Sequence, residues 1–109
     1  MMATIGNNEA WAVLQFKLYG DWPFMDFETL VRVDTPVCVL ESTLKRMHGP
    51  IVDLVMCAGE FSPKNELRGD MKALTEFGIQ GGAKANPPRM TIRYNFKPAD
   101  WENPDNVLL

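Results

Sequence analysis

The chain has 109 residues, of which 46% are hydrophobic, 23% charged and 10% aromatic. Those are the proportions of one soluble globular domain and not of a disordered chain. Eleven Lys and Arg against fourteen Asp and Glu leave a net charge of −3, without the basic footprint of a nucleic-acid binder or an acidic-membrane binder.

Residues 1–9 carry neither the basic region nor the apolar run of a secretory signal, and they are expected to be a flexible N-terminus. Apolar runs stay far below the ~18 residues that span a bilayer. The first strong pattern runs from Ala10 to Tyr19. Ala12, Leu14, Phe16 and Leu18 alternate with Val13, Gln15 and Lys17, which predicts a strand with one buried face. Gly20-Asp21-Trp22-Pro23 interrupts it with turn residues. Alternation resumes from Phe27 to Asp34, so the two strands read as a hairpin.

A helix is expected next. The Thr35 hydroxyl is a candidate cap, and Pro36 suits the first helical position. Val37, Leu40, Leu44 and Met47 form one apolar stripe. Lys45, Arg46 and His48 stand at the negative end of the dipole, and Gly49-Pro50 ends the helix. A strand rich in β-branched residues follows from Ile51 to Cys57, then an irregular polar stretch from Phe61 to Met71. Ala73 to Phe77 has the length of a single helical turn, and residues 78–88 read as loop. Met90, Ile92, Tyr94 and Phe96 alternate with Thr91, Arg93 and Asn95 as a last strand. The domain is expected over residues 10–97, with an acidic tail over 98–109.

Two strands, a helix, a strand, a short turn and a strand suggest a β-grasp order, although the pattern alone leaves other α+β folds open. Leu54-Val55-Met56-Cys57-Ala58-Gly59 resembles the apolar strand ending in Ala-Gly in ubiquitin. Ala73-Leu74-Thr75-Glu76-Phe77-Gly78-Ile79-Gln80 resembles the Thr-Leu-Ser-Asp-Tyr-Asn-Ile-Gln segment of that family. The chain therefore resembles the ubiquitin-like domains over roughly residues 10–97. The resemblance implies an α+β fold, a ubiquitin-like β-grasp with a mixed sheet of four to five strands packed on one helix. Conjugated members of the family end in Gly-Gly. This sequence ends in Leu108-Leu109, and its Gly81-Gly82 pair precedes the last strand. Cleavage after Gly82 would remove that strand, so a non-conjugated type is expected.

Little in the chain points to catalysis. His48 is the one histidine, and Ser42 and Ser62 stand in no nucleophile elbow. Cys38 and Cys57 lie in apolar stretches, which reads as two buried thiols in a reducing cytoplasm. The cysteines and histidine lack paired metal-ligand spacing. No enzyme activity, cofactor or metal is expected.

The resemblance instead implies a monomeric docking module for a protein partner. Its first candidate surface is the sheet face away from the helix, with Leu54, Met56 and Arg93. Alternation through Asp53 would put Val52, Leu54 and Met56 inside, whereas the resemblance puts Val55 and Cys57 inside; the second arrangement is the one expected here. The turn with Trp22 and Phe24 is a second candidate, because turns are seldom so apolar and tryptophan is frequent at binding hot spots. The tail around Trp101 is a third. A component of an assembly or chaperone machine, as in the β-grasp domains of tubulin-folding cofactors, is the alternative; a modifier matured by proteolysis is less expected. Residues 1–98 hold eleven basic and eleven acidic side chains, so Asp100, Glu102 and Asp105 account for the whole charge excess.

Overall fold

The computed structural model describes residues 10–20 and 26–98. The expectations for residues 1–9, for Trp22 and Phe24, and for Trp101 and the rest of residues 99–109 lie outside them.

Four strands form one mixed sheet. They are β1 (Trp11–Leu18), β2 (Phe27–Arg32), β3 (Ile51–Ala58) and β4 (Arg89–Pro98), in the spatial order β2-β1-β4-β3. β1 and β2 pair as an antiparallel hairpin, as their proximity in sequence favours. β4 inserts beside β1 in parallel and beside β3 in antiparallel register. The last described strand is thus central, and the sheet closes only after the strands on either side of it have been laid down.

Alternation decides the buried face. Ala12, Leu14 and Phe16 of β1 and Ile92 and Tyr94 of β4 are fully buried. Each large apolar side chain removed from water contributes about 1.5–3 kcal/mol. Phe16 stacks on Phe27 at 4.7 Å and meets Tyr94 edge-on at 6.1 Å, which ties the hairpin to the central strand.

Helix α1 (Val37–His48) lays Val37, Leu40 and Leu44 against this face. Twelve residues are marginal as an isolated helix, so docking carries it. The structure corrects two expectations here. Thr35 does not cap α1; Pro36 occupies the cap position without a side-chain bond. The first amides instead donate to the loop, Val37 N–H to the Lys72 carbonyl and Cys38 N–H to that of Asp70. Met47 is also not the end of the stripe, being 53% exposed. His48, one turn beyond Leu44, takes that place. Its ring packs on Phe96 and its Nε2 lies 2.7 Å from the Tyr94 hydroxyl.

β3 corrects a third. Met56 is 3% exposed and sits in the core, with Leu54 partly buried against it. Val55 and Cys57 pair with Asn95 and Arg93 on the opposite face. The cause is a bulge between Val52 and Val55. Asp53 adopts a φ of 56° there, a conformation that aspartate tolerates better than most residues. The extra residue keeps Ile51 buried while directing Leu54 and Met56 inward. Alternation was the better guide, and the resemblance misled about this strand.

The connections follow the strands closely. The Leu67 amide donates to Met56, and Glu66 bridges Cys57, so the chain after β3 covers its outer edge. A 3-10 turn, Leu74–Phe77, buries Leu74 in the core and bonds back to Thr35 and Val33, in agreement with the single turn expected there. Gly82 bridges Trp11. A Cβ at Gly81 would stand 2.8 Å from Ala10 Cβ and from Val33 Cγ1. Close packing therefore accounts for the glycine at position 81.

Candidate docking surface

The sheet face opposite α1 is built in rows by the register of the strands. Glu28 of β2, Gln15 of β1 and Thr91 of β4 stand side by side. Gln15 Nε2 donates to Glu28 Oε2 at 2.7 Å, and the Thr91 hydroxyl reaches Gln15 Oε1 at 3.5 Å. Arg89 Nη1 donates to the same Glu28 oxygen at 2.7 Å. The Gln15 bond first, and the Arg89 guanidinium second, hold the Glu28 carboxyl below the usual range. Exposed ion pairs of this kind contribute little stability. Their effect is to keep three strands' side chains in fixed positions.

The next row is Lys17, Arg93 and Cys57. Lys17 Nζ pairs with Asp26 at 3.0 Å. Arg93 is exposed, and among the described residues it joins none of the ion pairs of this face. On its other side Cys57 is buried beneath the segment after β3, in a hollow of about 120 Å³ lined by Val55, Phe61, Ser62, Pro63 and Glu66. Its Sγ donates to the Ser62 carbonyl at 3.4 Å, and burial pushes the thiol upward. That is the setting of a packing cysteine and not of a nucleophile. Tyr19, 57% exposed, lays its ring on Phe61 at 4.8 Å, joining the end of β1 to this segment.

A second, open hollow of about 250 Å³ lies at the hairpin end of the sheet, lined by Gln15, Lys17, Asp26 and Glu28 with Phe16 and Phe27. Charged groups dominate its rim, so it is a weak receptor for an apolar ligand.

The sequence placed Arg93 on this face, and the structure does too. Leu54 and Met56, expected beside it, are turned away into the core by the Asp53 bulge. The apolar surface of the face comes instead from half-buried Val55 on β3 and from the row of Val13 on β1 and exposed Leu30 on β2. Trp22, Phe24 and Trp101 lie outside the described residues. The Glu28–Gln15–Arg89 network went unnoticed in the sequence. Its signal was the outward parity of Gln15 and Glu28, but the contact needs the parallel register of β1 and β4.

Away from this face, desolvation lowers the His48 imidazole and therefore favours its neutral form, not the helix-terminal cation expected. Glu41 is raised by burial and by the neighbouring Asp70 carboxylate. Among the described residues no three His, Cys, Asp or Glu side chains are grouped as metal ligands. No described helix is long and apolar enough to cross a membrane.

No family model matches the sequence, and no curated protein matches it. Among solved structures, the C-terminal ubiquitin-like domain of mouse tubulin-specific chaperone e, solved in solution, matches with a TM-score of 0.61. The match covers 82% of this chain and 89% of that one at 15% identity. Together with the β2-β1-β4-β3 order and the helix across one face, it establishes the fold as the α+β, ubiquitin-like β-grasp.

Proposed function

We propose that the protein is a non-covalent, non-catalytic docking domain of the cytoplasm that receives a protein partner on the outer sheet face around Arg93. The observation that carries this reading is the contrast within one row: Lys17 is neutralised by Asp26, whereas Arg93 beside it has its guanidinium exposed. A guanidinium in a bed of fixed polar groups is suited to a carboxylate of the partner, which it can grip with two parallel bonds. Val55 and the Tyr19–Phe61 contact supply apolar surface nearby. Non-covalent action is supported by the packing role of Gly81 and by the central place of β4, which follows it.

The test is affinity capture from cell extract with the full chain, its Arg93→Glu variant and a helix-face control, Ser42→Arg. Arg93→Glu is expected to lose the partners that Ser42→Arg keeps. Equal capture by all three would defeat the assignment of this face. High-mass adducts on denaturing gels would defeat the non-covalent reading.

The solved likeness favours a second reading, a component of an assembly or chaperone-cofactor machine. Selective capture of tubulin by the same bait would support it.

A further inference from the structure

The hollow lined by Cys57 stands beside Arg93, because Cys57 and Arg93 are cross-strand partners of β3 and β4. Val55, Phe61 and Pro63 give it apolar walls. Its volume of about 120 Å³ falls below the ~300 Å³ at which small-molecule sites begin. That room suits a single aliphatic side chain. The Ser62 hydroxyl, in the same lining, is buried without a hydrogen-bond partner, which leaves a polar group for the backbone of an occupant to satisfy. Glu66, the acidic residue of the lining, is paired with Arg68 at 2.9 Å.

Charge selects what can lie across it. Lys17, next to Arg93 in its row, is neutralised by Asp26, whereas Arg93 is exposed and joins no ion pair among the described residues. An apolar hollow and an unpaired guanidinium therefore start about one strand spacing apart, ~5 Å at the backbone. An extended peptide directs residues i and i+2 to the same side, about 6.6 Å apart, and the long arginine stem covers the difference. A carboxylate two residues from a leucine or isoleucine meets both points at once. Were the two adjacent in sequence, one of them would face solvent.

We propose that the site around Arg93 recognises an extended peptide segment of its partner in which an acidic and an aliphatic residue stand two positions apart. The carboxylate takes the Arg93 guanidinium, and the aliphatic side chain fills the hollow between Val55 and Phe61. This rests on the docking role proposed for Arg93 and specifies its ligand. Such a segment buries far less than the ~1,200 Å² of a standard interface, so an isolated peptide binds weakly, on the order of 0.5 mM.

The full chain is titrated with the peptide acetyl-Gly-Ser-Glu-Ser-Leu-Ser-Gly-amide and followed by amide NMR. Shifts are expected around Val55, Phe61 and Arg93. Replacing the peptide's glutamate by glutamine, or its leucine by serine, should weaken binding about tenfold, and so should placing the two side by side. With Arg93→Gln the glutamate and glutamine peptides should bind alike, which a general attraction between charges would not produce. Equal affinity of the parent chain for all these peptides would overturn the proposal, as would shifts confined to another face. No binding at about 5 mM peptide would overturn it too; if Arg93→Glu still lost its captured partners, the docking role would stand without this ligand. Binding as expected, with capture indifferent to Arg93→Glu, would sustain the recognition chemistry and remove only its assignment to the captured partners.

Discussion

One sheet presents two faces made from alternate residues of the same strands, and they do different work. The inner face places Leu14, Phe16, Met56, Ile92 and Tyr94 in a single packed core. The outer face links Gln15, Glu28 and Thr91 by side-chain bonds, pairs Lys17 with Asp26 and leaves Arg93 exposed beside them. Neighbours in sequence therefore differ in what their loss costs. Core truncations remove transfer energy and leave cavities, whereas exposed polar groups exchange one set of bonds for water.

The largest expected effect tests that separation directly. Phe16→Ala should cost about 3–5 kcal/mol in urea unfolding, since the ring is fully buried between Phe27 and Tyr94. Arg93→Ala should change stability by less than about 0.5 kcal/mol while affecting partner capture. Comparable losses from both would mean that the faces are not separable.

The same comparison within β3 checks the bulge. Met56→Ala should cost about 2–5 kcal/mol and its neighbour Val55→Ala much less. A reversal would restore the register expected from the resemblance to ubiquitin. This strand also shows where reading the sequence reaches its limit. The uninterrupted alternations of β1 and β4 made their buried residues legible. In β3 alternation gave Leu54 and Met56 correctly and missed Ile51, which the bulge at Asp53 keeps buried, and no apolar pattern records that dihedral angle. Likewise Met47 and His48 are both correctly spaced from Leu44 to end the helix stripe. The choice falls to His48 because it can meet the buried Tyr94 hydroxyl, 46 residues away. On the candidate docking face Arg93 was legible from the resemblance. The network that fixes its surroundings was not, because Gln15 and Thr91 are 76 residues apart.

A smaller effect is expected where the two faces share a support. Gly81 packs under Ala10 and Val33 at the entrance to the first hairpin. Gly81→Ala should destabilise by about 1–3 kcal/mol through overpacking, measured by the shift of the urea midpoint. Gly82→Ala should cost less, because its Cβ would meet only the Pro88 ring closely, with Cδ at 3.2 Å. The opposite order would show that the contact with Ala10 and Val33 is not what excludes a side chain there.

The mildest prediction concerns the polar contact between His48 and the buried Tyr94 of the inner face. In the neutral tautomer that carries its proton on Nδ1, His48 Nε2 accepts the hydroxyl proton of Tyr94. Protonation turns Nε2 into a donor and leaves the buried Tyr94 proton without an acceptor among the described residues. Desolvation lowers the imidazole below its usual 6.5 for the same physical reason, the cost of a charge beside Tyr94 and Phe96. The unfolded chain then binds the proton first as pH falls. Stability should be level above about pH 7.5 and should decline as pH drops from 6.5 through the lower folded value. Carboxylates titrate lower on the scale, so the informative quantity is the difference between the parent chain and His48→Gln across that window. A flat difference would show that the imidazole does not respond to the inner face. At the alkaline end burial pushes the Tyr94 phenol up to about 12. The unfolded chain ionises first there, so stability should also fall between pH 10 and that value, and Tyr94→Phe should reduce the fall, leaving the part that the buried Cys57 thiol contributes. Arg93→Ala should leave the acid profile unchanged, because Arg93 stands on the face of the sheet opposite His48.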